Sequence, residues 1–154
     1  MALADLLQQD AVIPALKVNS KKQLLQELAA KAAKLTGVSE REIFDVILQR
    51  ERLGSTGVGH GIAIPHGKLA SISSITGIFA RLDNPIDFEA LDDEPVDLVF
   101  LLLAPEGAGA DHLKALSRIA RVLRGQELIN KLRQTDSASA IYAFLNEEQA
   151  SNAA

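Results

Sequence analysis

Two stretches of helical periodicity open the chain. Leu24, Leu25, Leu28, Ala29, Ala32 and Leu35 recur at intervals of three and four, which places them on one face of an α-helix. Ser20-Lys21-Lys22-Gln23 ahead of them has capping-box spacing, and Gly37 is placed to end the helix. Ser39-Glu40-Arg41-Glu42 repeats the device and opens a second helix, with Ile43, Val46 and Ile47 on one face, ending near Arg52.

The period then changes. Ile62 to Ile64, Thr76 to Leu82 and Val96 to Leu103 read as strands, the last almost continuously apolar after Asp97, as expected of a strand covered on both faces. Asn84-Pro85 and Asp92-Asp93-Glu94-Pro95 supply turn chemistry between them. Past the Gly107-Ala108-Gly109 loop, Leu113, Leu116, Ile119, Ala120 and Leu123 mark a helix from about Asp111 to Arg124. A shorter helix follows from about Glu127 to Arg133, and a last one from about Asp136 to Leu145. Residues after Glu147 are small and polar and are expected to fray. The organisation is thus one domain over 1–147 with a tail at 148–154. Helices, then strands, then helices predict an α/β fold, a central mixed β-sheet flanked by helices on both faces.

Composition narrows the function. A chain of 154 residues with 47% hydrophobic and 23% charged residues fits one domain with a real core, and aromatics at 4% leave Leu, Ile, Val and Ala to fill it. The net charge of −4 argues against a nucleic-acid partner, which favours a basic surface. With no cysteine there is no disulfide framework, thiolate metal site or thiol nucleophile. The longest apolar run, Leu98 to Pro105, is too short to span a bilayer. Met1-Ala2-Leu3-Ala4-Asp5 carries no positive region ahead of an apolar stretch, so a cytoplasmic protein without a secretory signal is expected.

The candidate chemistry sits in Gly59-His60-Gly61-Ile62-Ala63-Ile64-Pro65-His66-Gly67. His66 lies between a proline, which fixes φ and lacks an N–H, and a glycine, which has no Cβ to block a close approach. A packed core has no need of such a frame, whereas a reactive imidazole does. A free imidazole has a pKa of about 6.5, so about three quarters of it is neutral at pH 7 and able to accept a phosphoryl group. Arg50 lies seven residues from Ile43, four from Val46 and three from Ile47, on the inward face of its helix. A guanidinium there either clamps an anion or pairs with a buried Asp or Glu. Arg52 falls off that face and reads as a solvated charge. His112 follows Asp111, a possible helix cap, and either serves a site from the first helical turn or is an exposed helix-start residue.

Gly54-Ser55-Thr56-Gly57 followed by Gly61-Ile62-Ala63-Ile64-Pro65-His66-Gly67-Lys68 resembles the phosphohistidine signature of the mannitol/fructose-type enzyme IIA domains of the bacterial phosphoenolpyruvate:sugar phosphotransferase system, with the nitrogen-regulatory branch nearest. The similarity runs from about Ala11 to Leu145. The resemblance implies the same α/β architecture, His66 as phosphoacceptor, Arg50 as the phosphate-binding arginine and His112 as a second histidine lining the site. It also implies a phosphocarrier that takes its phosphoryl group from an HPr- or NPr-type protein, upstream of which stand enzyme I and phosphoenolpyruvate. The expected output is regulatory, through phosphorylation-dependent binding of proteins such as sensor kinases or potassium transport components. The alternative is an enzyme IIA subunit serving a separate fructose- or mannitol-type permease. Neither cofactor nor metal is implied. His60 departs from the asparagine or other uncharged polar residue expected there and reads as a loop residue near the site. Ser55 and Thr56 could offer hydroxyls to phosphate, and Lys68 reads as a rim charge. A remote reading from another class makes His60, His66 and His112 a three-histidine metal site of a hydrolase, although their spacing matches no short ligand motif.

Overall fold

The computed structural model describes residues 3–153; the side chains of Ala4 and of residues 148–153 lie outside that description. The tail expected to fray, 148–154, therefore falls on residues that are not described in full. Both N-terminal helices start where their capping serines stand. Ser20 Oγ accepts from the Gln23 N–H at 3.1 Å and Ser39 Oγ from the Glu42 N–H at 3.2 Å, opening α1 (Lys21–Thr36) and α2 (Glu40–Arg52). Gly37, at φ +77°, ends α1 in the left-handed region that only glycine enters without cost.

A mixed six-stranded sheet forms the centre: β1 (Val12–Leu16), β2 (Gly57–Gly59), β3 (Ile62–Ala63), β4 (His66–Leu69), β5 (Thr76–Ile86) and β6 (Val96–Pro105). The order is β1-β5-β6-β3-β2, with β4 pairing β6 as well. β5 and β6 are antiparallel, while β1 runs parallel to β5, and β3 and β4 parallel to β6. From Val96 to Ala104 every residue of β6 except Asp97 is buried, the pattern of a strand covered on both sides. The helices α3 (Ala110–Val122), α4 (Gln126–Arg133) and α5 (Ala138–Ala153) complete the fold, α3 against β6 and α5 against β1. On the other side of the chain order, α1 packs on α2, and α2 on β4. The expected mixed sheet flanked by helices is the observed architecture.

Three differences from the sequence reading have physical causes. β1 is not among the strands expected from the sequence; it contains Pro14, and as the first strand of the order it is an edge strand, which tolerates a residue without an N–H. Asn84-Pro85 does not form a turn; β5 continues through it to Ile86, with an irregular register against β6 between Arg81 and Ile86. The strand that ends at Ala63 is followed by a further strand absent from the sequence reading: His66 opens β4, pairing with Leu102.

Candidate functional site

Sheet register and helix packing converge on His66. Its Nδ1 lies 2.9 Å from the Ile64 carbonyl oxygen, two residues back. A carbonyl can only accept, so Nδ1 carries the proton and Nε2 keeps its lone pair. Arg50, one turn beyond Val46 on α2, donates from Nε to that Nε2 at 3.3 Å. Its Nη1 donates to the Gly54 carbonyl at 3.0 Å, which ties the end of the side chain to the loop after α2. The imidazole is thus oriented from both sides.

His112 reaches the same place from the first turn of α3. The two imidazole centroids are 5.6 Å apart, with the planes tilted by 55°. The cap of α3 is Gly109, with no side-chain cap, so Asp111 does not cap the helix, although it stands in the first turn. His112 is buried at 6% exposure, and burial pushes its pKa below the ordinary 6.5, with the charges of His66 and Lys68 acting in the same direction. Its Nδ1 is fully buried and has no hydrogen-bond partner. An unmet lone pair costs less than an unmet N–H, so the neutral tautomer with the proton on Nε2 fits best. That leaves an N–H donor at the site.

A cavity of about 570 Å³ opens over the two rings, lined by residues of α2 and its C-cap, β4 and α3 that include Arg50, Arg52, Leu53, Lys68 and both histidines. Three of its lining side chains are cationic and none is acidic, a field suited to an anion. Arg52 is exposed, as its helical position predicts, yet it borders this cavity, which the face argument did not anticipate. Lys68 is the expected rim charge.

His60 is not near the site. It sits at φ +58° in the β2–β3 turn, where its N–H donates to Asp92 Oδ2 at 3.0 Å, and it lines a different cavity with Asp97 and Arg133. The three histidines do not converge. Among the described residues no group of three or more His, Cys, Asp or Glu side chains could hold a metal ion.

Ser55 and Thr56 turn away from the cavity as well. The Ser55 hydroxyl donates to the Phe88 carbonyl at 3.0 Å, and the Thr56 hydroxyl donates to Glu51.

A family model for the phosphoenolpyruvate-dependent sugar phosphotransferase system, EIIA 2, matches residues 5–148. The chain belongs to this family. It is 67% identical over 145 residues to a nitrogen regulatory protein of Bradyrhizobium diazoefficiens, covering 94% of this chain and 95% of that protein. The crystal structure of nitrogen regulatory protein IIA-Ntr from Neisseria meningitidis matches with a TM-score of 0.88 at 36% identity, covering 93% of this chain and 98% of that one. A fructose-specific EIIA component of Haloferax volcanii is 39% identical over 126 residues, 81% of this chain and 80% of that protein. This EIIA chain is thus a phosphotransfer protein, and among its described residues no helix is long and apolar enough to cross a membrane.

One buried residue next to Arg50, outside the lining of the His66 cavity, escaped the sequence reading. Glu51 looks like part of a solvated Arg-Glu-Arg run, but it is only 6% exposed. It stands four residues after Ile47 and eight after Ile43, on the same buried stripe, and that spacing was the available signal.

Proposed function

We propose that the protein accepts a phosphoryl group on His66 Nε2 from an HPr- or NPr-type phosphohistidine protein and passes on its phosphorylation state as a regulatory signal. The observation that carries this reading is the pairing of His66 Nδ1 with the Ile64 carbonyl, which leaves Nε2 as the nucleophile on the cavity side. In the transfer, the Nε2 lone pair bonds to phosphorus while the donor's N–P bond breaks, and that electron pair returns to the donor imidazole. No net proton is released. Arg50 starts on the Nε2 lone pair and moves onto the phosphoryl oxygens as the new bond forms, joined by the His112 N–H. Arg52 and Lys68 add positive potential at the rim.

Phosphorylation adds about −1.5 to −2 charges to this surface. Leu53, 85% exposed, lines the cavity, so a docking protein meets apolar surface beside the group that changes charge. A regulatory target should therefore prefer one state by at least about tenfold, a difference of about 1.4 kcal/mol. The similarity to a nitrogen regulatory protein at 67% identity favours this output. The similarity to a fructose-specific EIIA component supports a second reading, delivery of the phosphoryl group to a separate sugar permease.

The test is incubation with phosphoenolpyruvate, enzyme I and an HPr-type carrier, followed by mass mapping of acid-labile phosphate. His66→Ala should abolish incorporation and His60→Asn should keep it. Phosphate on His60 or His112 of the wild type would overturn the assignment. Pull-downs with phosphorylated and unphosphorylated protein separate the outputs: identical partner sets leave the sugar-system reading.

A further inference from the structure

Behind the cavity, a chain of hydrogen bonds runs from a buried ion pair to the phosphoacceptor ring. Glu51, the residue after Arg50 on α2, has its carboxylate 3.0 Å from Lys21 Nζ at the start of α1, with side-chain exposures of 2% and 16%. The Thr56 N–H donates to Glu51 Oε1 at 3.1 Å and the Thr56 hydroxyl donates to Oε2. Lys21 also lies 4.4 Å from the centroid of the Phe88 ring, and the Phe88 carbonyl accepts from Ser55 Oγ. The Thr56 carbonyl in turn accepts the Ile64 N–H at 3.0 Å. The Ile64 carbonyl is the one that holds His66 Nδ1.

An ionised carboxylate is the side chain that meets this set of donors, because it accepts only and offers about four lone-pair sites over two oxygens. A hydroxyl, a backbone N–H and an ammonium all point at it. An apolar pair of the same volume would fill the space as well, but it would leave the Thr56 donors unmet and the segment from Gly54 to Thr56 free to shift. One of the two hydrogen bonds that set the His66 tautomer, Nδ1 to the Ile64 carbonyl, depends on that segment; the other is the Arg50 Nε–H on Nε2. If the Ile64 carbonyl withdraws, the imidazole proton is free to sit on Nε2, and the nucleophilic lone pair is lost.

We propose that Glu51 is a positioning residue for phosphoryl transfer: through Thr56 and Ile64 it keeps His66 in the Nδ1–H form. Neighbouring residues of one helix turn thus serve the two nitrogens of one ring, Arg50 directly at Nε2 and Glu51 through the chain at Nδ1. This inference rests on the phosphoacceptor reading of His66.

The experiment reads the tautomer by NMR with 15N-labelled histidine, at a pH where imidazoles are neutral, and reads transfer by single-turnover kinetics with the phosphorylated carrier. The variants are Thr56→Ser, which keeps the hydroxyl; Thr56→Val, which removes it at nearly constant shape; and Lys21→Met with Glu51→Gln, which removes both charges so that neither is left buried alone. Amide spectra confirm the fold. Wild type and Thr56→Ser should be mostly Nδ1–H. Thr56→Val and the double variant should shift toward Nε2–H and lose about ten- to a hundredfold in the transfer rate constant, with the carrier's half-saturation concentration unchanged. Folded variants that keep the wild-type tautomer, in a protein that is phosphorylated on His66, would overturn this inference alone. Absence of phosphate on wild-type His66 would overturn the phosphoacceptor reading itself, and the tautomer measurement does not depend on it.

Discussion

Gly67, next to the phosphoacceptor, is where the packing of α2 on β4 can be tested with a single methyl group. A Cβ placed there would lie 2.5 Å from Val46 Cγ1 and 3.7 Å from Ile47 Cγ2. Carbon atoms settle at about 3.5–4.0 Å, so roughly 1 Å of separation must be found. A valine in a helix has one strongly preferred rotamer, so the helix itself takes up much of the movement. Overpacking of this kind costs about 1–3 kcal/mol. Arg50 is one turn further along the same helix, and its 3.3 Å contact with His66 Nε2 moves with it. A misplacement of about 1 Å at a reacting group costs on the order of 100-fold in rate. Gly67→Ala should therefore lower the urea midpoint and slow single-turnover phosphorylation together. Val46→Ala removes the obstructing Cγ1, so the double variant should recover most of both losses, with a favourable coupling of about 0.5–3 kcal/mol. The reasoning fails if Gly67→Ala matches wild type in stability and rate, or if the two substitutions simply add.

Other consequences can be checked independently. Arg50→Gln and His112→Ala each remove a donor aimed at developing charge and should slow transfer by about 100- to 1,000-fold, or about 3–4 kcal/mol, in folded protein. Arg52→Gln should leave the transfer step itself near wild type and flatten the salt dependence of association, read by stopped-flow at several ionic strengths. Burial lowers the His112 pKa below 6.5, so the unfolded chain takes up the proton first as pH falls. Its contribution to stability is thus complete above pH 6.5 and is lost as pH falls from there toward the folded pKa; urea titrations should show this slope and His112→Asn should flatten it. Lys21→Met leaves the Glu51 carboxylate buried without its ammonium and should cost about 3–5 kcal/mol by the same titration.

How much of this was legible in the chain depended on whether the signal was local. The capping serines and the period of Leu24 to Leu35 fixed α1 and α2, because caps and helical faces are set by residues three and four apart. Arg50 was legible by the same geometry. The strand β4 was not, since His66-Gly67-Lys68-Leu69 has no apolar alternation and owes its form to pairing with β6. Residues 57–59 are likewise absent from the expected strands, yet pair with β3 as β2. The roles of Ser55 and Thr56 were misjudged because a hydroxyl in a glycine-rich loop looks the same whether it faces an anion or a buried carboxylate. His60 and His66 are six residues apart in sequence but belong to different cavities, a separation that only the sheet creates.

The column beside β6 constrains how the gene can vary. β3 and β4 both lie along one side of β6, and their register is continuous: Ile62 pairs with Leu98, Ala63 with Val99 and His66 with Leu102, with the same offset on either side of Ile64-Pro65. Side chains along such a column alternate between the faces of the sheet. One residue inserted or deleted between Ala63 and His66 would therefore send the imidazole to the opposite face, away from Arg50 and His112, even if every residue type were kept. The Gly107-Ala108-Gly109 loop carries no such register and can change length. A change in residue count between Ala63 and His66 cannot be accepted: the two-residue spacer is a ruler, and its length is inherited with the site.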